Sequence, residues 1–355
     1  MQIVFKIGSN VLLDDGNQLS LEFIKKLVSQ VNLLRQAGHQ VTIISSGAVA
    51  VGQLYLNKKN ILRSAQAALG QTELMKYYVQ FFNDRNIKIA QILLSPNAFK
   101  NRERYDRLKQ TLENLVSNKI IPIINENDAT VLEDTFGEND SLAGIMAVTI
   151  GANRLIYLTN VDGLYSNDPQ TDKKAKLIKE VSSVNLEKQK LCSQKTSSLG
   201  RGGMLSKLKG AKLASTCGIE VFIVNGLKPE NISKLMAGVS VGTKFIPQKG
   251  KISERKKWLL IGSVSQGKII IDKGARTALE NNKSLLAVGV RGVAGIFNAG
   301  DFVNISDQEG EIFAFGLVNY NSKILTPLNS LKDKNKIKEN YKKEIVHIDN
   351  LTILK

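Results

Sequence analysis

The chain of 355 residues contains only two cysteines, two histidines and one tryptophan. Cys192 and Cys217 cannot form a disulfide framework, which fits a reducing cytosol and predicts a cytoplasmic location. A zinc site would need more Cys and His than the chain contains, since His39 and His347 lie far apart in sequence. No apolar run is long enough to span a bilayer, and no signal-peptide pattern opens the chain. We therefore expect no membrane partner.

Negative charge is also in short supply, and the formal net charge is +17 at pH 7. Such an excess of Lys and Arg is compatible with a nucleic-acid partner. The excess is spread along the chain roughly in proportion to length, without a concentrated patch. This distribution favours a solvated, lysine-rich surface over a dedicated nucleic-acid face.

Short apolar runs alternate with helical periodicity over most of the chain, which predicts a mostly parallel sheet with helices on both faces. The predicted strands are 3–7, 41–46, 87–94, 120–124, 154–159 and 220–224. The predicted helices are 19–37, 62–84, 102–118, 141–150 and one that follows the segment 197–207 and ends near residue 217. Right-handed crossovers put the loops after parallel strands at one edge of the sheet. Gly8, Ser46, 125–128 and Thr159 should therefore converge there.

The most informative stretch runs from residue 120 to residue 143. An apolar strand ends in Asn125-Glu126-Asn127-Asp128, and a second polar cluster with Asn139 and Asp140 opens the next helix. Ligands of open α/β sheets bind beyond the carboxyl ends of the strands. Amides and carboxylates together suit a ligand that carries both an ammonium and an anionic group. Ordinary helix capping is the alternative interpretation of the same residues.

A second candidate lies at Gly200-Arg201-Gly202-Gly203, which leads into the helix that carries Lys207. A glycine-rich loop entering a helix offers backbone N–H groups to phosphate. The Walker A spacing is absent, and by itself the loop can also be an ordinary turn.

The pattern changes near residue 248. A charged, aperiodic segment predicts a linker, and close-spaced strands at 268–271, 285–290, 302–306 and 313–318 with one helix at 273–281 follow it. We therefore expect three parts: an α/β domain over 1–248, a linker over 249–262, and a small all-β domain with its tail over 263–355. The lysine-rich stretch 332–343 is expected to be a solvated helix or disordered.

These motifs, in this order and over almost the whole chain, resemble those of the bacterial glutamate 5-kinases in the amino acid kinase superfamily. The shared segments are 4–9, 45–52, 125–128, 137–140, 158–165 and 202–207. The C-terminal part is similar to a PUA domain at 271–275 and 284–290. The resemblance implies an amino acid kinase fold, a mostly parallel sheet sandwiched by helices, followed by a small all-β PUA barrel.

The same resemblance implies the activity. Glutamate 5-kinases use ATP and Mg²⁺ to phosphorylate the γ-carboxylate of L-glutamate, which gives L-glutamyl 5-phosphate and begins proline biosynthesis. Family members are typically inhibited by proline at or near the glutamate site, and they assemble as dimers or tetramers. The metal ion is expected on phosphate oxygens, so no protein ligand is assigned to it.

Individual roles follow from the matching positions. Lys6 and Lys207 should be the catalytic cations, and Asp140 should hold both through charge-assisted hydrogen bonds. The residues expected to bind glutamate are Ser46, Gly47, Asn125, Asp128 and Asn139. Those expected to bind the nucleotide are Lys6, Thr159, Asn160, Arg201, Gly202, Gly203, Met204, Leu205, Ser206 and Lys207. The loop 129–137 is expected to be a mobile lid and the seat of proline sensing.

Asn160, Arg201 and Ser206 depart from the family pattern, which concerns nucleotide contacts more than the reaction. Two other hypotheses stay open. One is a sister kinase of this fold with another substrate. The other is an RNA-binding protein that works through its PUA domain. The few aromatic residues of the C-terminal part fit a hydrophobic core as well as an RNA surface.

Overall fold

The structure is a computed structural model. It describes residues 1–14, 18–56, 61–95, 97–100, 102–130, 139–169, 172–182, 203–228, 230–248, 250, 252–261, 267–329, 337 and 341–353. The chain forms two compact units. The first contains Met1–Pro96 and Arg107–Lys251, and the second contains Asn97–Asp106 and Ile252–Lys355. None of the helices in these described ranges combines the length and the hydropathy needed to cross a membrane.

A mostly parallel sheet forms the centre of the first unit. Its strands are β1 Gln2–Ile7, β2 Gln40–Ile44, β3 Ile89–Leu94, β4 Ile121–Glu126, β5 Arg154–Thr159, β6 Glu180–Val181, β7 Glu220–Asn225 and β8 Thr243–Phe245. Their order is β3-β4-β2-β1-β5-β7-β8-β6, and only the β7–β8 pairing is antiparallel. The predicted parallel sheet is confirmed.

The helices assigned to the described residues from 1 to 236 are α1 Ser9–Leu12, α2 Leu21–Gln36, α3 Ala48–Tyr55, α4 Arg63–Asn83, α5 Asn97–Lys100, α6 Arg102–Ser117, α7 Asn139–Thr149, α8 Met204–Thr216 and α9 Glu230–Met236. Helix α2 illustrates why they form. Its buried Ile24, Leu27 and Val31 recur at helical spacing. The Ser20 hydroxyl accepts a hydrogen bond from Phe23 N at 3.3 Å and caps the first turn.

Strand β1 contacts a helical layer on each face of the sheet. It can do so because successive side chains of a strand point to opposite faces. Ile3, Phe5 and Ile7 belong to the same buried core as α2 and α4. Lys6 points to the other face, where it contacts Asp140 of α7. The sheet therefore has helices on both sides, as its sequence pattern predicts.

The carboxyl ends of the central strands meet at one edge of the sheet. In the register, Lys6 lies opposite Ile44 on β2 and Tyr157 on β5. Gly8 N donates to Leu158 O at 3.0 Å, and Ser45 N donates to Ile124 O at 2.8 Å. These bonds continue the sheet pattern past the strand ends, so the predicted convergence is present.

The second unit contains a five-stranded sheet with the order β10-β9-β11-β12-β13. Its strands are β9 Gly267–Ile271, β10 Val290–Ala294, β11 Phe302–Ser306, β12 Ile312–Val318 and β13 Val346–Ile353, and its helices include α10 Glu254–Ile261, α11 Lys273–Glu280 and α12 Ser322–Leu325. The pairings are antiparallel except β9–β11. This confirms a separate C-terminal β unit.

One local prediction was wrong, and the segment expected to be a linker contains a helix. The expected linker over 249–262 contains α10, whose last four residues, Trp258 to Ile261, are buried. Trp258 packs edge-on against Phe302, with ring centroids 5.2 Å apart, and its indole N–H donates to Phe99 O at 3.1 Å. The expected strand 285–290 is instead an isolated bridge at Leu285 followed by a 3₁₀ turn. The expected domain bounds stay a prediction, and most of 332–343 lies outside the described residues.

Candidate active site

Lys6 is a charged residue inside an apolar strand, and the structure gives it a partner. Its side chain is 5% exposed, and its ammonium nitrogen lies 2.5 Å from Asp140 Oδ1. A buried lysine without a counter-ion would be costly. The contact with Asp140 explains how β1 keeps this charge.

Asp140 is the centre of a cluster of polar side chains. It is fully buried in the first turn of α7. Lys207 Nζ lies 2.9 Å from Asp140 Oδ2, and the Ser206 hydroxyl donates to the same oxygen at 3.0 Å. Both lysines and the carboxylate come together as expected. Two cations and one anion leave a net positive charge, which suits an anionic ligand such as phosphate.

The Asp140 carboxyl is held in its ionised form. Burial alone would raise its pKa, but the charges of Lys207 and Lys6 and the hydrogen bonds that they donate hold the pKa well below its usual range. The carboxylate therefore stays charged at neutral pH, and both lysines keep their counter-ion.

A close crossing of α7 and α8 makes this cluster possible. At the crossing, a Cβ on Gly144 would lie 2.5 Å from Gly210 O, a distance that real side chains do not tolerate. Glycine on both helices lets their backbones approach closely. Lys207 lies one turn before Gly210 and so reaches Asp140 from α8.

The two polar clusters predicted at this edge, 125–128 and 139–140, also meet. Glu126 N donates to Asn125 Oδ1 at 2.9 Å and to Asn139 Oδ1 at 3.3 Å. Asn125 Nδ2 donates to Gln71 Oε1 at 2.7 Å, and Asn125 is 1% exposed. The Asn125 side chain is thus engaged by its neighbours. It supports the backbone of this edge, and its expected contact with the substrate stays a prediction.

Ser46 and Gly47 precede α3 at the same edge. Gly47 has φ +87°, a left-handed conformation that favours glycine, and it is the N-terminal cap of α3. The first N–H groups of a helix lack intrahelical acceptors and can bind an anion. Asp128 lies beyond the end of β4 and is partly exposed. The structure places these three residues at strand ends of one sheet edge, as expected.

Thr159 and Asn160 follow β5, and the Thr159 hydroxyl donates to Asn160 Oδ1 at 3.4 Å. Beside them, Asp162 accepts hydrogen bonds from Lys228 Nζ at 2.9 Å and from Asn225 Nδ2 at 3.0 Å. These bonds lower the pKa of Asp162. Asn225 and Lys228 were missed in the sequence. Asn225 directly follows the predicted strand 220–224, so the rule that polar residues after a parallel strand lie at this edge could have found it.

The start of α8 contains the described part of the segment that is expected to bind the nucleotide. Gly203 is its N-terminal cap, and Met204 and Leu205 are partly exposed. Ser206 is fully buried, and its hydroxyl contacts Asp140 and lies 2.8 Å from Gly203 O. The expected nucleotide contacts of Met204, Leu205 and Ser206 stay predictions. Arg201, Gly202 and most of the loop 129–137 lie outside the described residues.

The described side chains do not form a metal site of their own. Across the described ranges, no group of three or more His, Cys, Asp and Glu could hold a metal ion. Asp140 is occupied by Lys6 and Lys207, and Asp162 is occupied by Lys228. The assignment of Mg²⁺ to phosphate oxygens alone stays a prediction.

Comparisons with known proteins agree with the geometry. The profile of the amino acid kinase family matches residues 1–225, and that of the PUA domain matches residues 267–338. A solved structure of isopentenyl phosphate kinase covers 69% of this chain and 100% of its own, with TM-score 0.50 at 15% identity, which shows the fold alone.

Curated relatives cover nearly the whole chain. A glutamate 5-kinase of Thermotoga maritima is 39% identical and covers 99% of this chain and 99% of its own. One of Dehalococcoides mccartyi is 36% identical, with coverage of 99% and 98%. One of Sodalis glossinidius is 41% identical, with coverage of 91% and 90%. The resemblance drawn from the motifs is thereby confirmed, and the chain belongs to the glutamate 5-kinases of the amino acid kinase family and carries a PUA domain.

Proposed function

We propose that this protein transfers the γ-phosphoryl group of ATP to the γ-carboxylate of L-glutamate, which gives L-glutamyl 5-phosphate and ADP. This is the first step of proline biosynthesis. The observation that carries the proposal is the pair of buried lysines, Lys6 and Lys207, on the buried carboxylate of Asp140. This carboxylate lies at the same sheet edge as Ser46, Gly47 and Asn139.

The chemistry requires two anions to approach each other. Two unit charges about 4 Å apart repel by about 4 kcal/mol at an effective dielectric constant of about 20. Lys6 and Lys207 offset this repulsion by placing positive charge against the phosphoryl oxygens, where negative charge is spread in the transition state. Asp140 keeps both lysines in position and does not contact the reacting atoms.

No general base is needed, because the γ-carboxylate of glutamate is already ionised at neutral pH. A carboxylate oxygen attacks the γ-phosphorus, and the bond from that phosphorus to the oxygen bridging it to the β-phosphate breaks. The electron pair stays on the ADP leaving group. When bound with ATP, Mg²⁺ would supply further positive charge against the phosphate groups.

The remaining groups bind the substrates. The Ser46 hydroxyl and the N–H groups at Gly47 suit the carboxylate of glutamate. Asp128 and Asn139 suit its α-ammonium and α-carboxylate. Thr159, Asn160 and the segment Gly203 to Lys207 lie on the side that would hold ATP, with Arg201 and Gly202 before it.

Regulation and assembly are further parts of the proposal. Proline carries the same α-carboxylate as glutamate and an ammonium beside it, so it could compete for Asp128 and Asn139. We also propose a cytoplasmic homo-oligomer. In the described part of the second unit, Arg276 contacts Asp307 and Glu311, and Arg291 contacts Asp272. These cations are already paired within the protein, so they do not favour the alternative of RNA binding.

The test is formation of γ-glutamyl hydroxamate from ATP, Mg²⁺, L-glutamate and hydroxylamine, with and without proline. ADP release should depend on glutamate and should not occur with aspartate, N-acetylglutamate, UMP or isopentenyl phosphate. Turnover of one of those four compounds in place of glutamate would identify a sister kinase. A salt-titrated RNA-binding assay on the full chain tests the other alternative.

A further inference from the structure

Tyr157 on β5 is a fully buried residue that the reaction described above does not use. Its hydroxyl donates a hydrogen bond to the backbone carbonyl oxygen of Asp140 at 2.8 Å. The sheet register pairs Tyr157 with Lys6 on the adjacent strand. Lys6 and Tyr157 therefore reach the same residue of α7, Lys6 at its carboxylate and Tyr157 at its carbonyl.

Gly210 on α8 lies next to the hydrogen bond between Tyr157 and Asp140. Residues three and four apart on a helix lie on one face, so Gly210 shares a face with Lys207 and Ser206. A Cβ on Gly210 would overlap the Tyr157 hydroxyl and would lie 2.6 Å from Asp140 O. The space that holds the tyrosine hydroxyl against Asp140 thus exists because residue 210 has no side chain.

We infer that Tyr157 is a positioning residue for the phosphoryl transfer: its hydroxyl, in the space left by Gly210, fixes the backbone of Asp140 so that the carboxylate lies between Lys6 and Lys207. This inference rests on the proposed function. A carbonyl oxygen can accept a second hydrogen bond beside its helical one. Since α7 begins at Asn139, this bond acts on the first turn of the helix, where the site is built.

The direct test is Tyr157→Phe, which removes only the hydroxyl. The lysines act most strongly on charge that develops in the transition state, so kcat should fall about tenfold while the KM values for glutamate and ATP change less than about twofold. The matched control is Tyr341→Phe. Tyr341 also donates to a backbone carbonyl, that of Ile324 at 2.7 Å, but in the second unit. Unchanged kcat in Tyr157→Phe, or a change confined to KM, would overturn the inference.

A second variant tests the shared contact. Gly210→Ala should also lower kcat, since its methyl group would displace the Tyr157 hydroxyl. The double variant Tyr157→Phe/Gly210→Ala should be more active than the product of the two single losses, because the first change removes the atom that the second would displace. Gly274→Ala is the control, a helical glycine whose nearest atom to an added Cβ is Asp272 Oδ1 at 3.4 Å. Losses that simply multiply would contradict the inference.

A third readout does not depend on activity. In the absence of substrates, acylation of Lys6 and Lys207 by acetic anhydride can be followed by mass spectrometry. Both lysines should react faster in Tyr157→Phe than in the unchanged protein or in Tyr341→Phe, because their counter-ion is displaced. Unchanged acylation, or failure of Tyr157→Phe and Gly210→Ala to fold, would assign these residues to the core alone. If the unchanged protein lacked glutamate-dependent activity, the proposed function would fail, and acylation would still decide this inference.

Discussion

Lys6 and Lys207 contact different oxygens of one buried carboxylate. Lys6 Nζ lies 2.5 Å from Asp140 Oδ1, and Lys207 Nζ lies 2.9 Å from Asp140 Oδ2. The two lysines come from the first strand and from α8, far apart in sequence, so Asp140 sets the distance between them. A shared counter-ion also means that changes at these three positions should not be additive.

Lys6→Ala should reduce glutamate-dependent ADP formation by about 10²–10³-fold or more, the range found when a group that stabilises transition-state charge is removed. The fold should persist, since Asp140 keeps Lys207. Initial rates and far-UV circular dichroism measure the two effects. The control is Lys244→Ala, which removes a lysine paired with Glu220 at 2.8 Å and more exposed to solvent. Full activity in Lys6→Ala would disprove the assigned role.

Asp140→Asn should destabilise the protein as well as inactivate it. Loss of the anion leaves two nearly buried cations side by side, and breaking a buried ion pair costs about 3–5 kcal/mol. Urea unfolding should be followed by far-UV circular dichroism, because the single tryptophan, Trp258, belongs to the second unit.

A matched control for this variant is Asp307→Asn, which removes a mostly buried carboxylate from Arg276 in the second unit. It should leave the kinetic constants unchanged. Inorganic phosphate should stabilise Asp140→Asn more than the unchanged protein, since an added anion can neutralise the two lysines. Equal stabilisation of both proteins by phosphate would argue against an anion site at the lysines.

The lowered pKa of Asp140 predicts a specific dependence of stability on pH. The carboxyl binds a proton less readily in the folded state than in the unfolded state, where its pKa is about 3.9. Its stabilising contribution is therefore complete above about pH 5 and is lost as the pH falls through that value toward the lower pKa of the folded state.

The measurement is the difference in unfolding free energy between the unchanged protein and Asp140→Asn. This difference cancels the other carboxyl groups to a first approximation. It should be constant between about pH 7 and pH 5 and should shrink as the pH decreases further. A difference that grows on acidification would reverse the sign of the assigned pKa shift.

The sequence predicted the sheet and the side chains that meet at Asp140 better than the contacts that support them. Alternating periodicity indicates the parallel sheet, and a lysine within an apolar strand indicates a buried partner. Asp140 alone was compatible with ordinary helix capping. The contact between Gly144 and Gly210, and the bond from Tyr157 to Asp140, depend on how two helices cross, and no local pattern encodes that. Helix α10 was missed because its short apolar segment follows a charged, aperiodic run.

The variant Gln71→Met tests whether Gln71 holds the Asn125 side chain in place. Gln71 is mostly buried on α4 and accepts the hydrogen bond from Asn125. Its loss leaves the Asn125 amide unpaired and frees the backbone at Glu126, at a cost of about 1–3 kcal/mol. If this edge binds glutamate, as proposed, with equal strength in the ground state and in the transition state, the KM for glutamate should rise about tenfold with a smaller change in kcat. Gln91→Met, at an exposed position on β3, is the control. A fall in kcat alone would place Asn125 with the catalytic cluster instead.

Gly70→Ala tests whether the crossing of α3 and α4 positions the glutamate carboxylate. A Cβ on Gly70 would overlap the carbonyl oxygen of Ala48, the first residue of α3 and the neighbour of Gly47. The added methyl group should push the start of α3 outward and move the donors at Ser46 and Gly47. Overpacking of this kind costs about 1–3 kcal/mol of stability.

Because the displaced residues precede α3, the expected effect of Gly70→Ala is selective. The KM for glutamate should rise about tenfold, the loss of about 1.4 kcal/mol expected when a carboxylate loses one good hydrogen bond. The KM for ATP should stay unchanged, since Thr159 and Lys207 belong to other elements. Gly274→Ala, a helical glycine with room for a methyl group, controls for the substitution itself. Equal changes in both KM values would indicate a general loosening of the first unit, and Ser46 and Gly47 would then lose their assigned role.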